Sequence, residues 1–121
     1  MSAETADHRN EVLLVGRVSA APEVRVLPSG DEITTWRLVV ARDDIADGRP
    51  AQDTIDCTAW SSRTRRSASL WAAGDVVEVE GALRRRFWKT TAALASRCEV
   101  EVSRVRRVAK ATGSATGRRK S

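Results

Sequence analysis

Apolar and polar residues alternate with a period of two along most of the chain between residues 11 and 108. Because successive side chains of a strand point to opposite faces, this alternation predicts half-buried β-strands. The predicted strands cover residues 11–18, 23–27, 33–41, 55–60, 76–88 and 97–102, and the last is expected to continue toward residue 108. Pro22 separates the first two strands, and the sequence Pro28-Ser29-Gly30 predicts a turn after the second.

Residues 63–73 depart from this alternation and predict one short helix. Ser62 is suited to cap its N-terminus and Gly74 to end it, while Ala68 and Trp71 are expected to face the core. Residues 42–54 are rich in Asp, Gly, Pro and Ala, which predicts a loop.

The order of these elements predicts an all-β fold. About five strands, with the helix between the third and fourth and no βαβ alternation, indicate a five-stranded Greek-key OB-fold barrel. We expect the domain to cover residues 10–108, preceded by a disordered leader at residues 1–9. Residues 109–121 lack an apolar anchor and predict a disordered basic tail.

The strand predicted at residues 76–88 has two chemically different faces. One face is apolar and is expected to lie against the core: Val77, Val79, Leu83 and Phe87. The opposite face is cationic and aromatic: Arg84, Arg86 and Trp88. Guanidinium groups bind phosphate and a flat indole stacks on a base, so this face indicates single-stranded nucleic acid. Packing of Trp88 at the edge of the core or between subunits remains the alternative.

The charge balance favours a polyanionic partner. The formal net charge is +5 and the sequence pI is about 10.2. Basic residues are concentrated after residue 102, where no acidic residue occurs. The tail is therefore expected either to contact nucleic acid or to be a simple solvated end.

Several classes of function are disfavoured by the residues that are missing. Cys57 and Cys98 are isolated in sequence and His8 is the single histidine, so we expect no zinc site, no other cofactor and no enzyme. The first ten residues contain no secretory signal, and no apolar run approaches the roughly 18 residues of a membrane helix. These features predict a cytoplasmic protein without membrane contact.

The ordered set of segments resembles bacterial single-stranded DNA-binding proteins over residues 10–108. The similar segments are NEVLLVGRV at residues 10–18, PEVR at 22–25, WRLVVA at 36–41, CTAW at 57–60 and LRRRFW at 83–88. The resemblance implies an OB-fold that coats single-stranded DNA without sequence preference during replication, recombination or repair. It also implies a homo-oligomer, either a tetramer, as is usual in the family, or a dimer.

The resemblance further implies which residues bind DNA. The base-stacking aromatic positions correspond to Trp60 and Trp88. The basic and polar strand positions correspond to Arg37, Arg84 and Arg86. Thr58 shares the outer face of its predicted strand with Trp60 and joins them as a candidate contact.

Three positions depart from the family pattern. Thr54 stands where a stacking tryptophan is common, and Asp56 adds a carboxylate to the expected binding face. The chain ends in basic residues, without the acidic tip that recruits repair enzymes. These departures predict a divergent or auxiliary member. The alternative is an OB-fold protein-interaction module or regulatory subunit with weak binding to DNA or RNA.

Overall fold

A computed structural model of the chain describes residues 7–46 and 48–111. The elements in chain order are β1 (Val12–Val18), β2 (Glu23–Val26), β3 (Glu32–Ala46), β4 (Arg49–Ala59), α1 (Ser62–Ala68), β5 (Val76–Lys89) and β6 (Leu94–Ala109). The predicted leader and tail lie largely outside the described residues, so the predicted domain bounds remain predictions.

Five strands close into a barrel in the order β1-β5-β6-β4-β3, because β3 also pairs with β1. The short strand β2 pairs with the first residues of β3, on the edge of β3 that faces away from β4. The pairing of β4 with β6 is parallel, and the other pairings are antiparallel. Helix α1 connects the third and fourth barrel strands, β4 and β5. The predicted OB-fold barrel is therefore confirmed.

The core fills the barrel with small aliphatic side chains and one pair of indoles. Its fully buried members include Val18, Leu38, Val77, Val79 and Val100. Trp36 and Trp71 meet edge to face, with ring centroids 5.1 Å apart and ring planes at 87°. Aromatic pairs favour this geometry because the positive edge of one ring meets the negative face of the other.

Helix α1 is shorter than the predicted helix at residues 63–73. Ser61, rather than Ser62, caps it, and its Oγ accepts a hydrogen bond of 3.2 Å from the Thr64 N–H. The chain tightens after Ala68, because the Leu70 and Trp71 N–H groups bond three residues back instead of four. Trp71 still reaches the core from the turn that follows the helix.

The loop predicted at residues 42–54 is instead a hairpin. Strands β3 and β4 continue through this segment and pair up to Ala46 and Arg49. A register shift between Ala41 and Ile45 marks an irregularity that lets a polar, strand-poor composition remain in the sheet. Gly48 lies in the turn before β4 with φ +74°, a conformation that glycine adopts readily.

The prediction that one face of β5 packs against the core is correct for only the first half of the strand. Val77 and Val79 are buried, whereas Leu83 and Phe87 are 49% and 60% exposed. The reason is that β1 pairs with β5 only up to Gly81 and β4 pairs with β6 only at residues 100–102, so residues 84–89 and 94–99 continue as a two-stranded arm. No described residue of the core packs over that part of β5, so alternation continues there while burial does not.

The first barrel strand is extended by a side chain. The Asn10 carboxamide accepts from the Leu83 N–H and donates to the Leu83 carbonyl oxygen, both at 2.8 Å. This pair imitates one more rung of the β1–β5 ladder. Asn10 thereby ties the beginning of the barrel to the base of the arm.

Candidate nucleic-acid interface

An open groove crosses the outer surface of the barrel at the base of the arm. Four of the predicted site residues line one section of it, a space of about 480 Å³: Thr58, Trp60, Arg86 and Trp88. Thr58 lies at the end of β4 and Trp60 directly follows that strand, whereas Arg86 and Trp88 come from the arm. Alternation predicted Thr58 on the outer face, but the structure leaves only 3% of it exposed. Closure of the barrel therefore brings together residues almost thirty positions apart.

A second section continues the groove across β2, β3 and β4. It contains Arg37 and Asp56, and it shares Arg25, Thr58 and Arg97 with the first section. We call the two sections together the binding groove. Arg84 lines neither section, although it precedes Arg86 on the same face of β5.

The two indoles of the groove differ in accessibility. Trp88 is 46% exposed. Trp60 is half-buried, and the Arg86 guanidinium carbon lies 5.6 Å from the centre of its ring. This cation–π contact orients the Trp60 ring and helps hold it in place. Both rings line the same section of the groove and offer apolar surface beside cationic groups.

An alternating series of ion pairs runs beside these rings from β3 to the arm. We call it the charge ladder, and its members in spatial order are Arg37, Asp56, Arg97, Glu99, Arg86, Glu101 and Arg84. The shorter contacts are Arg86–Glu99 at 2.8 Å, Arg84–Glu101 at 2.9 Å and Arg37–Asp56 at 3.2 Å. Four arginines thus face three carboxylates.

Strand register explains why the charge ladder forms. Arg37 lies directly opposite Asp56 in the β3–β4 pairing. Arg86 lies opposite Arg97 in the β5–β6 pairing, where two like charges would repel each other. Glu99 relieves that repulsion, because its carboxylate contacts both guanidinium groups.

Arg25 is a groove residue that the sequence interpretation missed. It lines both sections, and no ion pair or hydrogen bond of its side chain is found among residues 7–46 and 48–111. Alternation along β2 places Arg25 on the face opposite Val24 and Val26, but it does not single out Arg25, because all four residues of β2 are exposed. Arg97 and Glu99 were likewise predicted only as members of an alternating strand.

The two cysteines lie in different environments. Burial raises the pKa of the Cys57 thiol to about 12, with further contributions from the negative charges of Asp56 and Glu99. Cys57 therefore stays protonated, and Cys98 is exposed. In the described part of the chain, no group of three or more His, Cys, Asp or Glu residues could hold a metal ion.

Comparison with known proteins places this barrel in a family. The model of the single-strand binding protein family matches residues 9–108. The chain belongs to the single-strand binding protein family. The match covers the whole barrel and the arm, and the expected resemblance is thereby confirmed.

Curated relatives of this family member carry names that fit the assignment. Over 81 residues, 66% of this chain, it is 32% identical to single-stranded DNA-binding protein A of Bacillus subtilis and covers 47% of that protein. It is 28% identical over 81 residues to the single-stranded DNA-binding protein of Clostridium tetani, covering 56% of it. The chain thus spans about half the length of the curated relatives it matches.

A solved structure shares the fold of this family member. It is described as "Plasmodium falciparum SSB complex with ssDNA", and it superimposes with a TM-score of 0.72 at 21% identity. The similarity covers 84% of this chain and 96% of that chain. Among the described residues, no helix is long and apolar enough to span a membrane.

Proposed function

We propose that this protein binds single-stranded DNA without sequence preference, by stacking bases on Trp60 and Trp88. The observation that carries the proposal is the presence of both indoles in one groove beside arginines, in a chain of this family. Base stacking on an aromatic ring contributes about 1–3 kcal/mol per base. Two such contacts would supply a large share of the affinity.

Selectivity for single strands follows from base stacking on the two indoles. An indole can stack only on a base whose face is free, and bases inside a duplex already stack on their neighbours. Stacking also tolerates every base, because each base has a flat aromatic face. The strand would therefore lie with its bases toward Trp60 and Trp88.

The arginines and Thr58 would contact the backbone of the strand. Arg37 and Arg86 line the groove, and Arg84 extends the same face along the arm. Guanidinium groups bind phosphate oxygens in a bidentate manner. Thr58 lines both sections but is only 3% exposed, so it would offer the strand a much smaller contact than the arginines.

The proposal covers binding alone, without catalysis. We propose the family's usual setting of replication, recombination or repair, in the cytoplasm at the nucleoid. A homo-oligomer is part of the proposal, because β1 exposes Leu13 and Val15 on one side of an outer strand. A tetramer or a dimer could cover these side chains.

The direct test is fluorescence anisotropy of labelled oligo(dT) titrated with the protein. We expect saturable binding to oligo(dT) and much weaker binding to a duplex of equal length. Binding that is equal for duplex and single strand would contradict the stacking mechanism. A stronger preference for a matched RNA oligomer would replace DNA by RNA as the partner. No binding at low salt would refute the proposed function.

A further inference from the structure

We propose that Asp56 and Glu101 act as internal competitors of the DNA phosphates and thereby set the affinity and salt dependence of the binding groove, while Glu99 holds Arg86 in place. This inference rests on the proposed function. The three carboxylates occupy the same guanidinium groups that a phosphate would contact. They would therefore tune the affinity of the groove, although none of them would attract DNA.

The contacts of the charge ladder show the competition directly. Arg37 Nε donates to an Asp56 oxygen at 3.2 Å, and Arg84 Nε donates to a Glu101 oxygen at 2.9 Å. Arg86 Nε donates to Glu99 at 2.8 Å. A phosphate that takes a hydrogen bond from any of these Nε atoms must first displace a carboxylate.

Exposure shows which pairs can open. The side chains of Arg37, Arg84 and Glu101 are 67%, 48% and 37% exposed, so water weakens their pairs. Glu99 is only 6% exposed in its side chain, so its pair with Arg86 is harder to open. We infer that Asp56 and Glu101 release their arginines to DNA, while Glu99 keeps Arg86 over the Trp60 ring.

Salt dependence is the measurable consequence. A free cation that binds a phosphate of single-stranded DNA contributes about −0.7 to the slope of log K against log salt, because a counterion is released. An arginine already neutralised by a carboxylate exchanges one anion for another and contributes less. Arg25, which lies outside the charge ladder, keeps its full contribution. The slope of log K against log salt should therefore be shallower for the natural protein than about −0.7 for each groove arginine.

The test replaces the carboxylates by their neutral amides. Asp56→Asn and Glu101→Gln should each tighten oligo(dT) binding by about threefold, an effect within the range for an exposed ion pair. Each variant should also steepen the salt slope by up to about 0.7 per released arginine. Affinity is measured by anisotropy at several salt concentrations.

Glu78→Gln is the matched control. Glu78 pairs with Arg106 Nη2 at 2.6 Å, and it lines neither section of the groove. The substitution changes the net charge by the same amount as Glu101→Gln. We expect its affinity and salt slope to equal those of the natural protein. If Glu78→Gln tightens oligo(dT) binding as much as the groove variants do, the gain comes from the change in net charge and not from local competition. That result would overturn the inference.

The outcomes separate this inference from the proposed function. If the natural protein binds oligo(dT) and the two variants bind with the same affinity and slope, the inference is wrong and the function stands. If both variants bind about threefold more tightly than the natural protein and with a steeper salt slope, the inference is supported. If none of the proteins binds at low salt, the proposed function itself is refuted. Thermal melting should show that all variants are folded.

Discussion

The four tryptophans of this chain form two pairs with opposite environments. Trp36 and Trp71 meet inside the closed barrel and are 5% and 6% exposed. Trp60 and Trp88 lie on the outer surface and line one groove. The residue type is the same in both pairs, so position in the fold decides what each ring contributes.

The difference follows from where each ring lies along its strand. Trp36 lies within β3, opposite Cys57, where the barrel is closed. Trp60 comes immediately after β4, and Trp88 is on the arm beyond the register shift of β5. Trp71 reaches the Trp36 ring from the turn after α1, so both rings are enclosed in the core. Rings at strand ends are left available for a ligand.

The largest expected effect is on the buried pair. Trp36→Ala should lower the free energy of unfolding by about 3–5 kcal/mol, because it removes a buried ring and leaves a cavity. Urea unfolding followed by circular dichroism measures the change. A loss below about 1 kcal/mol, within the range of an ordinary surface change, would place Trp36 outside the core.

Trp88→Ala should give the reverse pattern. We expect oligo(dT) binding to weaken by about 1–3 kcal/mol, the contribution of one stacked base. The melting temperature should stay close to that of the natural protein, because nearly half of the Trp88 side chain is already exposed. Anisotropy and thermal melting are measured on the same sample. A large fall in melting temperature would show that Trp88 packs in the core instead.

A smaller effect is expected for the free cation of the groove. Arg25→Ala should reduce the magnitude of the salt slope by about 0.7, the contribution of one phosphate contact on a single strand. Arg17→Ala is the control, because Arg17 is an exposed arginine of β1 that lines neither section. Equal salt slopes for Arg25→Ala and Arg17→Ala would show that Arg25 does not contact a phosphate.

The smallest expected effect is on the pH dependence of the free energy of unfolding, through the buried carboxylate of Asp75. Burial alone would raise the pKa of Asp75. Hydrogen bonds from the Ala72 and Ala111 N–H groups, with the charges of Arg107 and Lys110, outweigh burial and lower the pKa. A lowered folded-state pKa stabilises the protein above the unfolded-state pKa, and this stabilisation is lost as pH falls through the folded-state value.

Asp75→Asn should therefore be less stable than the natural protein near neutral pH and approach it in acid. Urea unfolding at several pH values measures this difference. Asp31→Asn, at an exposed turn carboxylate that bonds Ser29, provides the control. A difference that stays constant with pH would show that the Asp75 charge contributes nothing to stability.

The barrel was predictable because alternation with a period of two reports half-buried strands directly. The same rule failed for Leu83 and Phe87, since it shows which residues share a face and not whether another layer covers that face. The hairpin at residues 42–54 was missed because pairing with a neighbouring strand outweighed a composition typical of loops.

The candidate site was predictable only in part. Alternation and the family resemblance indicated Trp60, Trp88 and Arg86, which the groove brings together. The charge ladder was not predictable, because it depends on which residues of β5 and β6 lie opposite each other. That register follows from the Glu80/Gly81 shift, and no local pattern in the sequence specifies it.

The central claim is that Trp60 and Trp88 contact DNA bases while Trp36 and Trp71 do not. Tryptophan fluorescence titrated with oligo(dT) tests it most directly when the natural protein is compared with the double variant Trp60→Phe, Trp88→Phe. We predict strong quenching in the natural protein and almost none in the double variant. Anisotropy should confirm that the double variant still binds oligo(dT) to saturation. Quenching of equal depth in both proteins would place the DNA against the other pair and contradict the account.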